Sequence, residues 1–177
     1  MQKKEGLYFK MEKKVNLIKE SSLSEKVLLI RRVTKVVKGG KKMHFSALVI
    51  VGDGAGRCGI GMGKANEVPK AIKKAIVRAQ KQMIKIPLAG PTLLYNVTAK
   101  KGASIIMLKP ASPGTGIIGG GSVRAVLEAL GVKDAITKSM KSNNPINVVK
   151  ATMEGLRMIK TIYERNAMRR ELEEVSA

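Results

Sequence analysis

A single cysteine, Cys58, and a single histidine, His44, are all that the 177 residues offer of those two types. One cysteine forms no internal disulfide, which fits a reducing compartment and makes the cytoplasm the default setting. Catalysis near neutral pH draws on groups that titrate or attack there, and these are scarce. His44 falls in a predicted strand close to Lys42, with no acidic neighbour to orient it. No catalytic residue, metal site or cofactor is expected, because no cluster supplies enough ligands. Aromatic residues make up 3% of the chain, so the core should be aliphatic and base stacking a minor means of recognition. The longest apolar runs, such as 47–51 and 105–108, fall far short of the roughly 20 residues a membrane-spanning helix needs. The first fourteen residues mix Lys with Glu and hold no apolar segment, unlike a secretory signal.

Acidic residues are the most telling shortage. Asp and Glu number 13 against 34 Lys and Arg, a formal charge of +21. Between Glu67 and Glu128 lie sixty residues without a carboxylate, while Lys70, Lys73, Lys74, Arg78, Lys81, Lys85, Lys100, Lys101, Lys109 and Arg124 carry ten positive charges. Such a segment cannot neutralise itself, and its repulsion is relieved when phosphates arrive. A polyanionic partner is expected, with nucleic acid ranked first.

What is present reads as two α+β units. Residues 26–37 are rich in β-branched and aliphatic side chains, Lys38-Gly39-Gly40-Lys41-Lys42 interrupts, and 43–51 resumes, a hairpin pattern. A second turn, Gly52-Asp53-Gly54-Ala55-Gly56, leads into a strand over 57–64. There Gly59, Gly61 and Gly63 share one face, opposite Cys58, Ile60 and Met62. A glycine face admits close approach, and a packed helix is the favoured occupant; Cys58 then reads as a small buried hydrophobe. The helix follows at once, capped by Asn66, with Pro69 in its first turn and Val68, Ile72, Ala75, Ile76, Ala79 and Met83 at helical spacing. Lys70, Lys73, Lys74 and Lys81 fall on its other face. A short helix over 22–26 is predicted ahead of the first strand. Beyond the 87–91 connector, strands are predicted over 92–100 and 104–109, then a loop over 110–122 with two prolines and five glycines. Ser122 caps a helix through Leu130 that Gly131 ends, 135–141 is a short strand, and Asn144 with Pro145 opens a helix to about Arg165. The implied division is a basic extension over 1–21, units over 22–87 and 88–166, and a flexible tail over 167–177.

Three glycine patterns invite functional readings. Gly54-Ala55-Gly56-Arg57-Cys58-Gly59 satisfies G-x-G-x-x-G, but a strand follows where a dinucleotide site needs a helix, and no acidic residue lies about twenty positions on. Gly61-Met62-Gly63-Lys64 lacks the other residues of a P-loop. The glycine pair in Lys38-Gly39-Gly40-Lys41-Lys42 permits positive φ and brings N–H groups towards a ligand among lysines, which favours phosphate contact over an ordinary solvated turn. The glycines of 114–121 lead into a helix N-terminus, fitting backbone approach to RNA or a protein neighbour.

The runs Val33-Thr34-Lys35-Val36-Val37-Lys38-Gly39-Gly40, Ala47-Leu48-Val49-Ile50-Val51-Gly52-Asp53-Gly54, Gly63-Lys64-Ala65-Asn66-Glu67-Val68-Pro69, Pro110-Ala111-Ser112-Pro113-Gly114-Thr115-Gly116-Ile117-Ile118 and Asn144-Pro145-Ile146-Asn147-Val148-Val149 together resemble the bacterial-type fifth protein of the small ribosomal subunit. The resemblance implies an N-terminal domain like the double-stranded-RNA-binding fold, with a helix, a three-stranded antiparallel sheet and a helix, and a C-terminal mixed α/β domain with two helices. It implies a structural protein in the small subunit of cytoplasmic ribosomes that binds small-subunit ribosomal RNA at the head–body junction. It further implies contacts with the fourth and eighth small-subunit proteins, a share with the third and fourth in lining the path by which messenger RNA enters, and an influence on assembly and decoding accuracy. Taken with the basic residues of the chain, the expected RNA-binding set is Arg31, Arg32, Thr34, Lys35, Lys38, Gly39, Gly40, Lys41, Lys42, Arg57, Lys64, Lys70 and Lys74. Within that set Thr34, Lys38, Gly39 and Gly40 match a hairpin loop bordering the spectinomycin site, and Arg32 a residue facing the messenger path. By the same resemblance Gly116 and Arg124 match positions at the accuracy-controlling interface with the fourth protein, and neighbouring Gly114 is expected to belong with them. Lys41 stands where an arginine is common, and a lysine cannot fork onto a phosphate. Two other classes share part of the pattern: a nucleoid-type DNA-binding protein, which should bind duplex DNA as well as RNA, and a dinucleotide enzyme, which its cofactor should protect against heating.

Overall fold

The computed structural model describes residues 23–176, the last six by their backbone alone. The first unit is a β1–β2–β3–β4 antiparallel sheet, with β1 Ser24–Val37, β2 Gly40–Gly52, β3 Arg57–Ala65 and β4 Ile84–Lys85, backed by α1 Val68–Lys81. The second is a mixed sheet in the order β5–β6–β8–β7, from β5 Val97–Lys101, β6 Ser104–Pro110, β7 Ile117–Ile118 and β8 Ala135–Ser139, with helices α2 Gly121–Leu130 and α3 Pro145–Ser176. The α+β class and its two-part organisation agree with the sequence reading.

Several elements differ from it. Residues 24–26 open β1 instead of belonging to a helix; the extension and the first helix implied by the resemblance lie outside the described residues. The strand expected from residue 92 begins at Val97, because Thr92 forms single bridges to Ala89 and Asp134 in place of a ladder. The N-caps are Glu67 for α1 and Gly120 for α2, neither with a side-chain bond, so Asn66 lies one residue too early and Ser122 sits inside its helix. The 110–122 segment is not loop throughout: Ile117 and Ile118 pair in parallel with Ala135 and Ile136. Finally, α3 does not stop near Arg165 but runs to Ser176, through most of the stretch expected to be a frayed tail.

The glycine face does what its spacing foretold. Side chains built on Gly59, Gly61 and Gly63 would collide with the carbonyls of Ala79, Ala75 and Ala71 respectively. Strand residues two apart repeat every 6.6 Å or so, and helix residues four apart about every 6.0 Å, so glycine and alanine rows stay in step over three contacts. Ala71, Ala75 and Ala79 are fully buried against Ala47, Val49 and Val51.

The opposite face of the same strands belongs to the second unit. Leu48, Ile50 and Cys58 enter a core with Val126, Leu130, Met153 and Leu156 from α2 and α3. Backbone bonds join the units too: the amides of Gly54 and Gly56 donate to the carbonyls of Ala129 (3.1 Å) and Leu130 (2.9 Å), two of the acceptors that the end of α2 leaves without helical partners. Gly131, at φ 96, closes that helix as the sequence indicated. The turn that makes these bonds is shaped by Asp53, which accepts from the amides of Ala55 and Arg57 at 2.9 Å each and from Arg57 Nε at 2.7 Å. Burial pushes the Asp53 carboxyl up, but those bonds outweigh it and hold the group below its usual range. The G-x-G-x-x-G pattern is therefore a docking turn.

Gly61→Ala is expected to destabilise the protein by about 1–3 kcal/mol, the usual cost of overpacking, because the colliding atom is backbone; urea unfolding midpoints measure it. Cys58 is buried against Met153, Sγ to Sδ 3.7 Å, and burial raises its thiol to about 12. Native protein should thus resist thiol reagents between pH 7 and 10, where the unfolded chain, titrating near 9, reacts freely. The stability contributed by this proton should be intact below about pH 9 and fall as the pH rises from there towards 12. Both are read by labelling rate and by unfolding across pH.

Candidate nucleic-acid interface

Pairing between β2 and β3 ends at Phe45 and Ala65, whereas β1 and β2 continue together from Arg32 and Phe45 to Val37 and Gly40. Residues 33–44 therefore project from the sheet as a two-stranded ribbon about 15 Å long. Its tip is the two-residue turn Lys38-Gly39, and Gly39 lies at φ 89 and Gly40 at φ 155, where a side chain would be strained.

Residues directly opposite on antiparallel strands share a face, so the register sorts the ribbon's side chains. On the side of the second unit stand Lys35 opposite Lys42, Val33 opposite His44, and Arg31 opposite Ser46, with Lys64 across Ser46 from β3. On the α1 side stand Arg32 opposite Phe45, Thr34 opposite Met43 and Val36 opposite Lys41. Arg31, Arg32, Lys35, Lys41, Lys42 and Lys64 are exposed. Like charges opposite one another weaken a ladder, and a lone two-stranded ribbon is marginal in water, so Lys35 facing Lys42 makes sense when an anion lies between them.

The structure gathers most of the expected RNA-binding set and leaves some of it apart. Arg31, Lys35, Lys42 and Lys64 form one basic stripe, and Lys38, Gly39 and Gly40 form the tip. Lys70 and Lys74 are exposed on α1, Lys70 with its ammonium on Glu67 at 2.9 Å. Arg57 sits at the far end of β3, tied to Asp53, away from the ribbon. The second-unit residues form their own constellation: the Gly116 amide donates to the buried Asp134 carboxylate at 2.8 Å, and Arg124 Nη2 donates to the Ile117 carbonyl at 2.6 Å. Gly114 and Gly116 take φ 87 and φ 73. Arg124 is thus a strut that holds the glycine-rich loop. Asp134, which anchors that loop, escaped the sequence reading because nothing around it marks a buried acid. Also missed were Arg78, whose Nη1 donates to the Met62 carbonyl at 2.7 Å, and Lys150, which with it borders a cleft beside β3.

Among the described residues no group of three or more His, Cys, Asp or Glu side chains is placed to hold a metal ion, and no helix is long and apolar enough to cross a membrane.

For RNA binding across the ribbon, with roughly six phosphates neutralised, log affinity should fall with log salt at a slope of about −4 to −5. Replacing Lys35 and Lys42 together by Gln should make that slope shallower by about 1.5, as read by filter binding at several salt concentrations, and an unchanged slope would remove the stripe from the interface.

Comparison with family models agrees with the architecture unit by unit. Residues 23–87 match ribosomal protein S5, N-terminal domain, and residues 99–170 match ribosomal protein S5, C-terminal domain, so both halves of the fold and the basic ribbon fall inside one family's pattern. The chain belongs to the ribosomal protein S5 family of RNA-binding small-subunit proteins.

Proposed function

We propose that this protein is a structural constituent of the small ribosomal subunit of cytoplasmic ribosomes that grips ribosomal RNA at the head–body junction through its projecting basic ribbon. The observation that carries the reading is the ribbon itself: two strands extended beyond their sheet, lysine facing lysine, ending in a glycine tip. Recognition runs through shape and phosphates, in keeping with the few aromatic side chains. Thr34, Lys38, Gly39 and Gly40 border the spectinomycin site in this reading, and Arg32 faces the path by which messenger RNA enters, lined together with the third and fourth proteins. Gly114, Gly116 and Arg124 meet the fourth protein, where the firmness of the loop bears on decoding accuracy; the eighth protein is a further neighbour.

Sedimentation of a lysate through a sucrose gradient in high salt tests the core of the proposal. The protein should travel with the small subunit, and a position at the top of the gradient, among free proteins, would overturn it. Gly39→Asp refines the test. Open space surrounds Gly39, so an added side chain strains the turn through φ and not through packing. Cells carrying this variant should assemble small subunits at near-normal levels yet show an altered response to spectinomycin, whereas an unchanged response would detach the tip from that site.

A further inference from the structure

Beyond the ribbon, the second-unit face of β3 continues into a cleft of about 300 Å³ lined by Leu48, Ile60, Gly61, Met62, Arg78, Gln82, Ile146 and Lys150. Its floor is aliphatic, its lining includes two cations and, among the described residues, no carboxylate. The open edge of β3, with which no described strand pairs beyond Cys58, forms one wall together with Arg78 and Gln82 from the C-terminal end of α1, and the first turns of α3 form the other.

We propose that this cleft seats one unpaired nucleotide of the bound RNA, its base against Ile60, Met62 and Ile146 and its phosphate between Arg78 and Lys150. The inference rests on the RNA-binding reading and adds a subsite to it. Three observations favour a nucleotide over a peptide side chain. Ile60, Met62 and Lys64 alternate on one face of β3, so the cleft runs directly into the stripe of Lys64, Arg31, Lys42 and Lys35. Met62 and Lys64 lie about 6.6 Å apart along the strand, so a chain held on the stripe has only a short reach into the cleft. Arg78 is already fixed by its bond to the Met62 carbonyl, which uses one of five N–H donors and leaves the others for a phosphate.

The size and lining match one flat, aromatic, anionic unit. The volume is at the lower end of ligand clefts, enough for a nucleotide and too narrow for a duplex. Met62, at 43% exposure, offers a thioether of the kind that packs well on aromatic rings, and Gln82 offers an amide to a base edge. Bases held in a helix keep their faces stacked, so only a bulged or looped nucleotide can enter.

The test uses the full-length protein and two RNA hairpins of equal length, one fully paired and one with a single bulged adenosine. The native protein should bind the bulged RNA about tenfold more tightly than the paired RNA at the same salt concentration, within the range of one seated base. In Met62→Gln, and independently in Lys150→Gln, that ratio should fall towards one; both side chains are exposed, so the fold tolerates the changes. Lys35→Gln should weaken both RNAs and leave the ratio intact. Equal affinities in the native protein, or a preference that survives both cleft variants, would overturn the subsite while leaving the ribbon reading in place. Failure to bind either RNA would overturn the RNA-binding reading itself.

Discussion

Two-sided burial of one strand is the constraint on which the rest depends. Between Ala47 and Gly52 every residue of β2 is buried, odd positions against α1 and even positions against the second unit. Neither unit completes its core without that strand, so the division near residue 87 marks a change in chain path more than a break in packing. The arrangement works because the two faces are built differently. Glycine and alanine bring α1 to backbone contact on one side, while Leu48, Ile50, Cys58 and the side chains of α2 and α3 fill the other. A side chain on any of the three β3 glycines would push the helix off the sheet and disturb the strand that both cores share.

The same strand also makes the ribbon. Past Phe45 its partner on one side ends, and its composition turns from Ala-Leu-Val-Ile-Val to Gly-Lys-Lys-Met-His within one continuous element. Rigid burial at one end therefore aims an unburied, self-repelling end into solvent. A surface built this way is poor at stabilising its own fold and well suited to a polyanion, because phosphates supply the counter-charge that the chain withholds. The one ion pair that joins the units among the described residues does little to offset this: Lys26 to Glu128 spans 2.6 Å, but both side chains are about half exposed and such pairs are weak.

In the second unit, precision comes from polar contacts that are part-buried at Asp134 and exposed at Arg124. Asp134 holds the Gly116 amide, the Thr92 hydroxyl holds the Asp134 carbonyl, and Arg124 reaches the Ile117 carbonyl. A segment whose glycines allow many conformations is thereby held in one, with its backbone still at the surface. The glycine-rich 110–122 segment is tied down by Asp134 and Arg124, which follow it in the chain.

Local periodicity and charge were enough to foretell much of this protein. Alternating glycines announced a close-packed helix, alanines at helical spacing supplied it, Gly131 ended α2, and the absence of acids over 68–127 pointed to a polyanion. These are short-range or global properties, set by covalent geometry and by the sum of charges. The docking role of the Gly54 and Gly56 amides, the strut made by Arg124, the stripe that joins Lys64 to Arg31 and the cleft beside β3 were decided only by tertiary structure. Each depends on which backbone groups and faces meet away from their chain neighbours, by 7 residues for Arg124 and Ile117 and by dozens for the others, and that pairing is fixed by the competition of whole elements for a shared core, not by the residues next to it in the chain.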